Sequence, residues 1–487
     1  MPVEITASGI PLYALPALWP ALPEIVIAIG VLALVLYGAL RGERSTGDVH
    51  YAALALLALG FVLVVTSPAG TEVTFYGAFV ADGFAKLMKS LALMASIVVL
   101  AMGKEHFEKA GIARFEYPIL IVLATLGMMV MISANDLIAL YLGVELQSLA
   151  AYVIASFHRD DARSTEAGLK YFVLGALASG MLLYGSSLVY GFTGTISFPE
   201  IAMALSDGAS PGVIFGLVFI AAGLAFKVSA APFHMWTPDV YQGAPTPVTA
   251  FFASAPKIAA MALAVRVFVG AFPTIVEDWR QIIVFIALVS MFLGAFAAIG
   301  QRDLKRLMAY SSIANVGFAL VGLAAGTVEG VQGVIVYMAI YLFMTLGVFA
   351  CILGMRRGGV ALETIDDLAG VARTHPGFAF AIAMLMFSLA GIPPLAGFFA
   401  KYYVFLAAVE AGLVTLAVLG VVSSVIGAYY YLRIVKIVYF DEPKGAYEPA
   451  PFTLRVVITA STAFMLIFWL APAPLVSAAR SAANSLF

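Results

Sequence analysis

Fourteen apolar stretches divide this chain, at about 22–40, 51–66, 83–102, 117–133, 137–157, 168–190, 212–236, 247–271, 281–299, 305–325, 331–354, 377–409, 412–439 and 454–472. An α-helix needs about 20 such residues to cross a hydrocarbon layer about 30 Å thick. Strands crossing a bilayer would be shorter and would alternate apolar with polar, so each stretch reads as a helix. The pattern predicts an all-α integral membrane protein with about fourteen transmembrane helices. Composition agrees: 63% of the 487 residues are hydrophobic, 11% are charged and the mean hydropathy is +1.02. A soluble domain carries about 25% charged residues. No soluble domain fits between the stretches, because the longest polar connections are 191–211, 355–376 and 440–453. An ordinary soluble enzyme, a disordered chain and a disulfide scaffold are all excluded.

The connections orient the chain. Lipid-spanning proteins keep lysine and arginine on the cytoplasmic side. Alternate connections, counted from the one after span one, hold 17 of the 26 Lys and Arg residues, and the opposite set holds only Arg280 and Arg480. The richer side is expected in the cytoplasm, with both termini outside. The residues before the first span include Glu4 and no basic residue. A secretory leader opens on basic residues, so span one is expected to be retained.

The seven remaining cations lie inside apolar spans, where a charge costs at least ~2.5–3.5 kcal/mol. Lys86 and Lys89 follow Asp82 at one end of span three, and snorkelling to the interface explains them. Arg266 lies near the outer surface and reads as an interfacial anchor. Lys170 stands close to a cytoplasmic helix start and fits either a structural or a functional role. Glu145, Lys227, Lys257 and Lys401 are harder to excuse. Glu145 is about 14 Å into the span that opens at Asp136, and Lys257 about 15 Å beyond Pro247, at 1.5 Å rise per residue. Lys227 lies well inside span seven and Lys401 well inside span twelve. Buried ion pairs would be the plain explanation, but one carboxylate cannot neutralise three lysines.

Spans seven and twelve also carry breaks, at Ser229-Ala230-Ala231-Pro232 and Gly391-Ile392-Pro393-Pro394. Proline removes a backbone donor and clashes with the preceding turn. Broken helices at membrane depth survive only inside protein or beside a wet cavity. Lysine precedes proline in span seven and follows it in span twelve, and the two spans run in opposite directions. Two inverted five-helix repeats give this arrangement. The expected division is a three-helix segment at 1–116, one repeat at 117–271 (spans four to eight), a second at 281–439 (spans nine to thirteen), and span fourteen within 440–487.

These segments resemble the antiporter-like subunits of respiratory complex I. Ala225-Phe226-Lys227 to Pro232-Phe233-His234-Met235-Trp236-Thr237-Pro238 is similar to that family's seventh-helix signature, and 303–317, Asp303-Leu304-Lys305-Arg306 to Asn315-Val316-Gly317, to its tenth. Glu145 in Tyr141-Leu142-Gly143-Val144-Glu145-Leu146 matches the fifth-helix glutamate. The resemblance implies a proton-translocating subunit of a bacterial NADH:quinone oxidoreductase in the cell inner membrane. It implies that Glu145 stabilises protonated Lys227, that Lys257 is the central relay and that Lys401 is the last carrier before the outer surface. Burial disfavours a charged amine and a nearby carboxylate favours it, so such residues can exchange protons. His234, about 10 Å beyond Lys227 by helical rise, could serve proton uptake or simply close a helix end. Many members of that family carry histidine where this chain has Asn315, which leaves that depth to water or a hydroxyl such as Tyr310.

The same resemblance implies partners: an M-type antiporter-like subunit on one side and small membrane subunits on the other. NADH, flavin, iron–sulfur clusters and quinone would belong to partner chains. This chain has no G-x-G pair for a dinucleotide and only Cys351 as a thiol, so no cofactor and no metal is expected in it. A net charge of −2 gives no reason to expect nucleic acid. The other readings are a subunit of a multisubunit sodium/proton antiporter and a purely structural membrane scaffold. The M-type subunit carries glutamate where this chain has Lys401, which argues against the antiporter.

Overall fold

The computed structural model of the protein describes residues 4–5, 11–12 and 16–487. Much of the stretch before span one, on which the leader expectation rests, lies outside the described residues. The helices in order are α1 Leu22–Arg41, α2 Thr46–Thr66, α3 Gly83–Lys109, α4 Glu116–Ile132, α5 Leu137–Ala155, α6 Ala162–Thr193, α7 Phe198–Ala204, α8 Pro211–Val228, α9 Thr237–Gly243 and α10 Thr246–Ala253. They continue as α11 Ala255–Arg266, α12 Val276–Ile299, α13 Leu304–Ala325, α14 Val328–Gly354, α15 Val371–Thr374, α16 Pro376–Ala390, α17 Ala396–Glu410, α18 Val414–Phe440, α19 Phe452–Ile467 and α20 Ala473–Asn484. Every one of the fourteen expected stretches is helical, and both expected breaks are present. The short hairpins Glu72–Thr74 with Phe79–Ala81 and Arg356–Arg357 with Val360–Ala361 lie in connections.

Two features were not anticipated. The eighth stretch is split at Ser254 into α10 and α11. Pro256 explains the split, since its missing N–H interrupts the ladder. After the fourteenth stretch the chain also forms α20, which packs on α3 and α14.

A twofold repeat is visible in the backbone. The Asp136 side chain caps α5 by accepting from Ala139 N, and that of Asp303 caps α13 by accepting from Arg306 N. Asp136 bridges Ser197 and Asp303 bridges Thr364, two pairs at equal sequence spacing. Their backbone bonds match as well: Leu137 to Ile196 O and Phe198 to Asn135 O in the first half, Leu304 to Glu363 O and Ile365 to Arg302 O in the second. In each half the first two helices (α4 and α5, α12 and α13) pack together and the first also packs on the last (α11, α18). The third (α6, α14) packs on the broken one.

Glycine sets the closest of these contacts. A Cβ on Gly127 would lie 2.4 Å from Gln147 N, and one on Gly294 2.7 Å from Ala314 N, again at matching positions. Gly127→Ala is expected to push α4 off α5 beneath Glu145 and to destabilise the subunit by about 1–3 kcal/mol, the usual cost of overpacking. A lower dissociation temperature of the complex on native gels would show it.

Burial is uneven in a way that identifies the interior. The segment from Thr246 to Ala271 has no lipid-accessible face, and α13 and α14 are nearly as enclosed, whereas α6 and α18 expose large side chains such as Leu169, Leu177, Val418 and Val425. Helices apolar all round belong inside a bundle or a bilayer. Lys257, Tyr337 and Tyr341 sit on the enclosed set, and Lys227, Lys401, Tyr241 and Tyr431 are buried side chains of the helices around it.

Candidate functional site

The site is a set of buried polar side chains on and around the enclosed helices. Glu145 lies on α5, two turns beyond the Asp136 cap, and is half-buried. Its Oε1 is buried without a hydrogen-bond partner. Ser148, one turn on, accepts a 2.7 Å hydrogen bond from Lys227 Nζ. Among the described residues no ion pair within 4.0 Å joins Glu145 to Lys227; the Ser148 hydroxyl stands at the amine instead.

Lys227 is the penultimate residue of α8, and Ser229 turns the chain away with φ 65°. A helix end leaves four carbonyls without backbone partners. Lys257 Nζ donates to one of them, Val228 O, at 3.1 Å, with the Tyr241 ring 5.8 Å away. Lys257 is 1% exposed. In the second half Gly391 takes the same left-handed turn after α16. Lys401 Nζ donates to Leu389 O at 3.1 Å, Ala390 O at 2.9 Å and Ser424 Oγ at 2.8 Å, and lies 4.7 Å from the Phe318 ring. Three lysines are therefore held by carbonyl or hydroxyl oxygens. None has a carboxylate within 4.0 Å among the described residues, so buried ion pairs do not explain them. Negative helix ends supply the compensation.

Hydroxyls occupy the space between the two halves. Tyr241 and Tyr341 face Ser312 closely enough to interact, although the Tyr241 Oη and Ser312 Oγ atoms, both buried, make no hydrogen bond of good geometry. Ser312 stands in the second repeat where Glu145 stands in the first, at the spacing of Asp136 and Asp303. Next to it Asn315 is fully engaged. Its Oδ1 accepts from Tyr337 Oη at 2.7 Å, and its Nδ2 donates to Ser311 O at 2.8 Å. Ser311 Oγ and Tyr431 Oη are 2.5 Å apart. Phe318, one turn beyond Asn315, leads to Lys401.

Several expectations are corrected. The hydroxyls beside Asn315 are Tyr337, Tyr431 and Ser311; Tyr310 lies beside the Arg306 guanidinium, one turn away. Lys89 does not snorkel: it is buried against Glu24 at 2.5 Å, with the Phe79 ring 4.6 Å from its amine. Arg266 is no interfacial anchor. It is 4% exposed, bound at 2.9 Å by each of two nitrogens to Asp82, with Nε on Ile132 O at 2.8 Å, because α11 is enclosed along its whole length. His234 lies in the non-helical turn after α8, so helical rise does not measure its distance from Lys227. It is half-buried, with Nδ1 unpartnered.

Lys170 belongs to a separate, partly exposed cluster. It binds Glu166 and Asp239 at 2.7 Å each, and Arg306 binds Asp239 at 2.6 Å. Burial alone would raise the Asp239 carboxyl; the Lys170 and Arg306 cations more than offset this and hold it below its usual value. The cluster ties α6 and α9 of one half to α13 of the other.

Ser148, Ser424, Tyr241, Tyr337 and Tyr431 were missed from the sequence. Ser148 alone had a local signal, one turn beyond Glu145 on the same face.

Residues 134–427 match the family model described as NADH:quinone oxidoreductase/Mrp antiporter, transmembrane. The chain belongs to this family of antiporter-like membrane subunits, as its seventh- and tenth-helix segments imply. Among its relatives, it is 67% identical to NADH-quinone oxidoreductase subunit N of Methylobacterium nodulans over 97% of this chain and 98% of that one. A chain of respiratory complex I from Thermus thermophilus superposes with a TM-score of 0.81 at 32% identity, covering 93% of this chain and 98% of that one. A chain of the Mrp complex from Dietzia sp. shares the fold, with a TM-score of 0.84 at 23% identity and coverage of 96% and 98%.

Proposed function

We infer that this chain is a proton-translocating membrane subunit of a bacterial NADH:quinone oxidoreductase, the complex named by its full-length relatives. The carrying observation is that Lys227, Lys257 and Lys401 are buried along one internal seam and held only by carbonyls and hydroxyls. An ammonium held in this way is compensated without a permanent counter-charge, so it can release its proton as well as hold it.

Glu145, with a free oxygen one turn from the Lys227 partner, supplies the movable charge. Its approach favours the lysine's charged form and its withdrawal favours release. Lys257 touches the carbonyl next to Lys227 and is the central relay, and Lys401 is the outer carrier. Buried polar atoms almost always find a partner, and water supplies one where protein does not. The unpartnered hydroxyls of Tyr241 and Ser312 support a hydrated link across the centre. His234 serves proton uptake, while Lys170 and Tyr310 act through the Asp239–Arg306 cluster. NADH oxidation and quinone reduction occur in other subunits, and cofactors reside there. An M-type subunit and small membrane subunits flank this chain, in the inner membrane, with both termini on the periplasmic side.

The shared fold also admits a multisubunit sodium/proton antiporter. Lys401, where the M-type family pattern has glutamate, and the subunit N relatives favour the quinone enzyme. The test is proton pumping and quinone reduction in membranes carrying Glu145→Gln or Lys227→Ala, with assembly checked on native gels. Both activities are expected to fall at least about a hundredfold in assembled complex, the lower range for loss of a proton-transfer group. Intact pumping in both variants would leave the chain a scaffold.

A further inference from the structure

We propose that Ser424 is a positioning residue for Lys401, standing in the second half where the first half places Lys257. The inference rests on the relay reading above and adds a residue to it. Lys257 and Ser424 are separated by the same length of chain as Asp136 and Asp303, Ser197 and Thr364, and Gly127 and Gly294, the pairs that define the repeat. Both lie on the fifth helix of their half, α11 and α18. Each addresses the final carbonyl before the break. In the first half Lys257 Nζ binds Val228 O. In the second, Ser424 Oγ lies 3.5 Å from Ala390 O, and the ammonium arrives instead from Lys401 on the far side of the break. The two halves thus build the same dock, an ammonium on the end of a broken helix, with lysines from non-equivalent positions.

The serine completes the second dock. A hydroxyl both donates and accepts. Ser424 Oγ accepts from charged Lys401 at 2.8 Å while its proton points to Ala390 O. When the lysine becomes a neutral amine, the same hydroxyl turns and donates to the Nζ lone pair. The two carbonyls can go on accepting from the amine's remaining N–H groups, but only the hydroxyl can satisfy the lone pair that deprotonation creates, so it completes the shell around Nζ in both protonation states. A proton carrier needs that property, because a neutral amine free to swing away loses its alignment with the next carrier.

The experiment measures proton pumping and quinone reduction by the intact complex in membranes. Ser424→Ala is expected to slow both about ten- to a hundredfold, the effect of one hydrogen bond to a charged group. Ser424→Thr keeps the hydroxyl and is expected to recover most of the rate. Ser423→Ala, which removes the adjacent buried and unpartnered hydroxyl, is the control for helix packing and is expected to match the parent. A Ser424→Ala rate equal to the parent's, or a Thr variant as slow as the Ala variant, overturns the proposal. Lys401→Ala is run alongside: its normal pumping would sink the relay reading itself, a result separable from failure at Ser424.

Discussion

Lys257→Ala is expected to reduce coupled proton pumping and quinone reduction by about two to four orders of magnitude, the range for loss of a general acid–base group, in a complex that still assembles. Lys257 is the most deeply buried of the three lysines. Its amine touches the carbonyl beside Lys227 and faces the Tyr241 ring, so it is the contact between the first half and the hydroxyls of the centre. Truncation removes the only ammonium among the described residues that touches this carbonyl. Assembly should survive, because the deleted amine leaves a carbonyl that water can satisfy. Pumping measured with a pH-sensitive dye, normalised to complex on a native gel, gives the answer; near-parental pumping would break the chain of relays at its centre.

Arg266→Leu is expected to act in the opposite sense, through assembly rather than turnover. The guanidinium and the Asp82 carboxylate are both buried and share two hydrogen bonds. Removing one member strands a buried charge and costs about 3–5 kcal/mol, much of the 5–15 kcal/mol that stabilises a typical protein. Asp82 also caps α3 through Ala85 N, so Asp82→Leu adds the loss of a helix cap. Scarce complex with normal turnover per assembled unit is the expected outcome for Arg266→Leu. Abundant complex with low turnover would instead make Arg266 a functional cation.

The contrast shows what could be read from the chain. Helices, breaks and the buried lysines were legible because hydropathy and proline act locally. The partners were not. Glu24 lies far along the chain from Lys89, and nothing in the local pattern marks it as the counter-charge. Arg266 looked interfacial because distance along a helix measures depth only if the helix reaches the surface, and α11 is covered throughout. Tyr310 was the nearest hydroxyl to Asn315 in sequence, but helical rotation turns it toward Arg306 and leaves the role to Tyr337 and Tyr431 from other helices. The compensation of Lys257 and Lys401 could not be read at all, since backbone carbonyls carry no letter in the sequence.

That choice of acceptor has an evolutionary reach. A glutamate counter-ion can be erased by one codon change, whereas the open end of an interrupted helix persists as long as the bend does. The cradle for the cation is thus a matter of shape, and it can be filled from different helices, as Lys257 and Lys401 fill it in the two halves.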